Sequence, residues 1–224
     1  MNRHHHTKFR IRIFQLFALA CGFFISTTSS AETIEVGRFS LGHLDDWEEE
    51  IFNDQTRYTL INDADIQYLQ AISQASASGL VRKMTINLEK TPYLNWSWRT
   101  DKVFESNNER LKEGDDYPAR IYIIVSGGWL FWKTQALNYV WSSNQVVGSH
   151  WPNAYTANAH MLAIRSGPNQ QQQWRSEKRN VRQDLKTYFG KDITEVHAVA
   201  VMTDSDDTGE AAQADYGDIY FSSE

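Results

Sequence analysis

Between Asp204 and Asp215 the chain reads Asp-Ser-Asp-Asp-Thr-Gly-Glu-Ala-Ala-Gln-Ala-Asp, which sets hard oxygen donors at Asp204, Asp206, Thr208 and Asp215. Counted from Asp204 these are positions 1, 3, 5 and 12, with Gly209 at 6 where a calcium loop turns sharply. The run is therefore a degenerate form of the D-x-[DN]-x-[DN]-G-x5-E loop, from which Thr208 and Asp215 depart. Calcium is the cofactor this spacing suggests. Against it stands a plainer reading, since no helix pair flanks the run and Asp-rich turns commonly satisfy only their own backbone amides.

A second group mixes indoles with charges. In Leu94–Thr100 the alternation of a strand puts Trp96, Trp98 and Thr100 on one face and Asn95, Ser97, Arg99 and Asp101 on the other. Downstream lie Asp115, Asp116 and Arg120, the last at the mouth of the apolar strand Ile121–Val125. A buried guanidinium needs a carboxylate, and the Asp pair is the nearest supply in sequence. An ion-pair network is one expectation. The functional one is a pocket for a glycan or another polar small molecule, with Trp96 or Trp98 stacking on a sugar face and Arg99, Asp101, Asp116 and Arg120 bonding its hydroxyls. An envelope hydrolase acting on glycan or peptidoglycan is the alternative; it requires two of Asp101, Asp116, Asp204 and Asp218 about 5 to 10 Å apart in a cleft. A structural or assembly protein of the envelope is a third. All eight tryptophans lie beyond residue 31, with Trp129, Trp132, Trp141 and Trp151 in a loop-rich middle stretch. Exposed indoles there would mark a surface and buried ones the core.

Other chemistries find no support. There is no G-x-S-x-G, phosphate loop or dinucleotide fingerprint. His43, His150 and His160 are scattered, and His197 sits inside an apolar strand as a core histidine, so no zinc site is expected.

The elements that must position these groups are mostly β. Runs of strand type cover Arg57–Ile61, Ile66–Ala71, Leu80–Leu88, Leu94–Thr100, Arg120–Val125, Leu137–Trp141, His160–Arg165, Val196–Met202 and Asp218–Phe221. Nine short strands separated by turns predict a β-sandwich or jelly roll. One amphipathic helix is predicted near residues 177–189, because Val181, Leu185, Tyr188 and Phe189 share a face and Gly190 follows as a left-handed cap. Its other face would carry Lys178, Arg179, Arg182 and Lys186. A second, short helix is suggested near Asp45–Phe52.

The N-terminus reads as a signal peptide over residues 1–31. Arg3, Lys8, Arg10 and Arg12 precede an apolar run from Ile13 to Ser26, too short to span a membrane, and Ser29-Ser30-Ala31 supplies the small residues for cleavage after Ala31. A lipid anchor on Cys21 is disfavoured because Gly22–Ile25 continues the apolar run. His4, His5 and His6 lie in the same removed segment. Cleavage leaves residues 32–224 as a single domain with no cysteine and no transmembrane segment, periplasmic or secreted. Of 22 basic residues 4 leave, so 18 face 28 acidic ones and the net charge falls to −10. That balance argues against nucleic acid and anionic lipid as partners.

The ordered motifs Phe39-Ser40, Asp46-Trp47, Ala77-Ser78-Gly79-Leu80, Leu94-Asn95-Trp96-Ser97-Trp98-Arg99, Gly114-Asp115-Asp116-Tyr117, Tyr139-Val140-Trp141-Ser142-Ser143, Arg179-Asn180-Val181, Met202-Thr203-Asp204-Ser205-Asp206 and Tyr216-Gly217-Asp218-Ile219 resemble a bacterial exported family, domain-of-unknown-function family three-zero-four-seven. Phe39–Trp47 and Gly217–Phe221 resemble the first and last strands of galactose-binding-like modules. That second resemblance implies a sandwich that binds sugars or other polar ligands, sometimes with a structural calcium.

Overall fold

The computed structural model describes residue 1 and residues 31–224, apart from 65, 106, 131, 132 and 170. Residues 2–30, where the signal peptide and Cys21 are expected, and Trp132 lie outside the described residues. Ala31–Glu224 form one compact unit.

Among the described residues thirteen strands make two sheets. In chain order they are β1 Thr33–Gly37, β2 Glu48–Asn53, β3 Arg57–Asp63, β4 Ile66–Gln74, β5 Ala77–Asn87, β6 Tyr93–Thr100, β7 Ala119–Val125, β8 Gln135–Ser142, β9 His150–Pro152, β10 Ala159–Ser166, β11 Arg175–Asn180, β12 Glu195–Asp204 and β13 Ala211–Ser222. The first sheet runs β11-β6-β13-β4-β3, with β1 paired to the end of β13; the second runs β2-β5-β12-β7-β8-β10-β9. All neighbours are antiparallel except β8 and β10. The architecture is the predicted mostly-β sandwich, with a single α-helix among the described residues, α1 Val181–Phe189.

Strict alternation in β6 buries Leu94, Trp96, Trp98 and Thr100 against the opposite sheet. Trp96 stacks on Tyr139 at 5.4 Å and Trp98 packs beside Trp141 at 6.0 Å, so the indoles lock the two sheets together. Leu80, Val199, Val201, Ile121, Ile123 and Leu137 complete the second sheet's inner face.

All nine predicted strands are present, and four others escaped the sequence pattern. β2 replaces the short helix suggested near Asp45–Phe52; every residue in it is exposed, as befits an edge strand paired only with β5. β11 takes residues 175–180, where the first turn of the predicted helix was placed. Its alternating polar residues pair with β6, and α1 begins only at Val181, where the Asn180 side chain accepts from the Gln183 amide at 3.0 Å. Lys178 and Arg179 consequently sit on a strand. Val181 and Leu185 face the core, and Gly190 caps the helix at φ 68°, as the spacing predicts.

Candidate functional site

The side chains that do not face the core on β5, β12, β7 and β8 line a groove across the seven-stranded sheet. Gly79, Val81, Ala200, Met202, Tyr122, Ile124, Ala136 and Asn138 make its floor, and Arg120, Asp115, Asp204, Asn153, Tyr155, Asp206 and Asp207 crowd one end. The cavity measures about 580 Å³. Small residues at Gly79, Ala200 and Ala136 are what hollow the face. A Cβ at position 79 would stand 3.3 Å from the Val201 carbonyl, so the strand itself leaves little room there.

Asn138 is the most informative side chain of the floor. It is 1% exposed, and its carboxamide Oδ1 is buried without a hydrogen-bond partner. Such an orphan costs about 1–3 kcal/mol.

At the polar end the two groups singled out in sequence meet. Arg120, 3% exposed, donates from Nε to Asp204 Oδ1 at 2.8 Å, pairs with Asp204 again through Nη2, and donates to the Asp115 carbonyl at 2.7 Å. Its guanidinium lies 4.5 Å from the centroid of the Tyr117 ring. The partner that the sequence sought in Asp115-Asp116 is therefore chiefly Asp204, which also accepts from the Tyr117 amide. Asp116 turns the other way and accepts from the amides of Asp207 and Thr208, the latter at 2.6 Å, pinning the loop after β12. Gly209 closes that loop at φ 70°, with its amide on the Ser205 carbonyl. Asp115 accepts from Asn153 Nδ2 at 2.6 Å and from the Tyr117 hydroxyl; burial pushes its carboxyl up, against the pull of Arg120. Burial also raises Asp207, which takes a 2.5 Å hydrogen bond from the Tyr155 hydroxyl.

Carboxylate oxygens of Asp116, Asp204 and Asp206 lie within 4.8 Å of one another, a spacing that can hold a metal ion. Two of the four donors named in sequence, Asp204 and Asp206, belong to this cluster. Thr208 contributes its backbone amide to Asp116, while its hydroxyl is directed to the Ser205 carbonyl. Asp215 does not join: β13 carries it to the other sheet, where it pairs with Arg99 at 2.6 Å and accepts from Gln70. A loop template counted along the sequence could not foresee that β13 starts at Ala211 and takes position 12 away.

The six residues expected to bind ligand occupy three places. Trp96 and Trp98 are core, 2% and 0% exposed, and present no face to a sugar. Arg99 and Asp101 belong to the outer side of the first sheet. Arg99 lies 5.0 Å from the Tyr68 ring and 4.9 Å from Trp174, while Asp101 accepts from the Gln213 amide. Only Arg120 lines the groove, with Asp116 behind its rim. Of the four carboxylates considered for hydrolysis, Asp101 and Asp218 are on the first sheet, Asp218 bonded to Ser40. Asp116 and Asp204 converge, yet Arg120 holds one and loop amides hold the other. His197 is half-buried rather than enclosed, and its Nδ1 accepts from the Ser126 amide. Trp141 and Trp151 are buried, whereas Trp129 is fully exposed.

Asn138, Asn153 and Tyr155 are site residues the sequence did not single out. Asn138 had one detectable signal, an amide within the otherwise apolar run Leu137–Trp141 of β8.

Among the described residues no helix is long and apolar enough to cross a membrane. No curated protein matches the chain in sequence. Among solved structures it is similar to a mutant of a family 29 carbohydrate binding module, with 8% identity, 87% of this chain and 93% of that one covered, and a TM-score of 0.41. It is similar also to the family 30 carbohydrate-binding module of a Clostridium thermocellum cellulosomal cellulase, at 12% identity, 79% and 87% coverage and a TM-score of 0.42. A third is the xyloglucanase domain of a Sinorhizobium fredii type three effector in complex with cellobiose, at 9% identity, 88% and 100% coverage and a TM-score of 0.45. In sequence, residues 45–220 match the family described as Protein of unknown function (DUF3047), and the chain belongs to that family.

Proposed function

We propose that this protein is a non-catalytic binding module for a polyhydroxylated ligand, a glycan first of all, held in the groove of the seven-stranded sheet. The observation that carries the reading is the buried, unpartnered Asn138 carbonyl on a hollowed floor. A ligand hydroxyl donating to it would remove the desolvation cost the protein bears alone. Asn153 and Arg120 add polar groups at one end, while Val81, Met202 and Ile124 offer apolar surface to the C–H face of a sugar ring. The module works outside the cytoplasm after residues 1–31 are removed, which an N-terminal mass of the exported protein beginning at Glu32 would check.

Calorimetry against a panel of soluble oligosaccharides tests the groove. Asn138→Ala is expected to weaken binding about tenfold or more while leaving the melting temperature level or higher, because it removes an orphan rather than a bond. Equal affinity in the variant would move the site elsewhere, and a panel with no binder would end the reading.

A second reading is supported by the Asp116, Asp204 and Asp206 cluster: calcium held there as a structural ion that stiffens the groove's rim. Calcium at concentrations far above its Kd should raise the melting temperature by several degrees over EDTA. The rise should vanish in Asp206→Asn; a melting temperature indifferent to calcium would leave the cluster as loop-pinning carboxylates.

A further inference from the structure

Resting on the groove as the binding site, we infer that its ligand is an amine-bearing glycan, a chain of sugars carrying protonated amino groups, in preference to a neutral or acidic one. The polar end of the groove is lined by four carboxylates, Asp115, Asp204, Asp206 and Asp207, and one cation, Arg120. Arg120 is committed to Asp204. Asp115 also faces Arg120, at 3.9 Å, and accepts from the Asn153 amide and the Tyr117 hydroxyl, while Asp206 and Asp207 meet neutral donors, the Asn53 amide at 3.2 Å and the Tyr155 hydroxyl. Lys112, the neighbouring ammonium, stands 5.0 Å from the Tyr155 ring centroid and does not line the groove.

An excess of carboxylates in a partly desolvated groove repels uronic acids and sulfated sugars. A neutral hydroxyl can donate to these carboxylates but leaves their charge uncompensated. A primary ammonium supplies three donors and the missing charge at once, so it adds the attraction of opposite charges to the hydrogen bonds that a hydroxyl also makes. The Asn138 Oδ1, independently of these carboxylates, also asks for a donor. It therefore accepts either a hydroxyl or an amine of the same ligand, while the acidic end selects for the amine.

Three hexamers with one β-1,4 backbone and different groups at carbon 2 separate the possibilities: cellohexaose with hydroxyls, chitohexaose with acetamides, and the glucosamine hexamer with amines. Calorimetry on the purified protein, in EDTA and in weakly acidic buffer of low ionic strength where the amines are protonated, should show the glucosamine hexamer binding at least about tenfold tighter than the other two. In Asp206→Asn combined with Asp207→Asn, which keeps both side chains' size and one acceptor oxygen in each while removing the charge, the ratio of amine to hydroxyl affinity should fall toward one. Thermal melting of the variant confirms that it is folded. Binding of cellohexaose as tight as the amine form would overturn the amine preference and leave the groove reading standing. A preference that survives in the double variant would overturn it too, by placing its source outside the groove. Failure of all three hexamers would remove this inference, and the groove reading would then rest on the wider panel.

Discussion

Arg120→Ala is expected to destabilise the protein by roughly 3–5 kcal/mol, the largest loss of any single substitution at the groove. The guanidinium is nearly fully buried, and two carboxyl-bearing residues are built around it: Asp204 through two contacts, and Asp115 through its carbonyl and, at 3.9 Å, its carboxylate. Removing the cation leaves Asp204 charged in a dry site beside Asp115 and Asp116, so the loss includes the repulsion it had been screening. The Tyr117 ring also loses the cation lying over it. Replacing the pair together, Arg120→Met with Asp204→Leu, should cost clearly less than Arg120→Ala alone, since no unpaired charge then remains. Urea denaturation of the two variants decides the matter. If the double replacement proves as damaging as the single one, the pair acts through packing rather than charge, and the polar end of the groove is less tightly wired than its geometry shows.

The same pair shows how far residue order alone can lead. A lone Arg entering an apolar strand demands a carboxylate, and that demand is legible from Arg120 onward. Which carboxylate answers it depends on β12 lying beside β7, a pairing between residues 84 positions apart that no local pattern encodes. The strands themselves were legible wherever one face is buried, because β6 alternates and β12 is apolar on both parities. β2 and β11 were not, since neither carries a sustained apolar face: β2 is exposed throughout and β11 is polar along its length. The tryptophan pair teaches the reverse lesson. Period-two geometry correctly gave Trp96 and Trp98 one face, yet it cannot say whether that face meets solvent or the other sheet. Tyr139 and Trp141 opposite them settle the question. The groove was least legible of all, because its floor is made of small residues such as Gly79 and Ala200, whose contribution is the space they leave.

Glu109 should make stability fall as pH rises from about 5 to about 8, partly opposed by His160, whose imidazole burial and His150 hold below its ordinary value. The Glu109 side chain is fully buried and its carboxyl is pushed up to about 7 from the ordinary 4.5. Burial is the principal cause. Hydrogen bonds from Ser142 and the Ser143 amide pull the other way, Asp115 adds to the rise and Arg120 opposes it. The unfolded chain gives up this proton near 4.5 and the folded chain near 7, so in between the native state holds more protons. The stabilisation is complete below about 4.5 and is lost as pH climbs through 7, about 3 kcal/mol for this group by linkage. Asp115 and Asp207, raised in the same direction, act with the same sign. Glu109→Gln keeps the acceptor for the Ser143 amide and has no proton to lose, so its denaturation free energy should vary less between pH 5 and 8 than that of the parent protein. A variant as pH-sensitive as the parent would shift the slope to the groove carboxylates. The consequence reaches the groove in either case. The Glu109 carbonyl takes hydrogen bonds from Trp151 and Tyr117, and the turn it begins runs through Gly114, where a Cβ would strike the Asn108 backbone at 2.6 Å. That turn delivers Asp115 to the floor's acidic end and Asp116 to the loop after β12. A ligand that orders this end is therefore expected to bind more tightly below about pH 7 than above it, which calorimetry across that range checks.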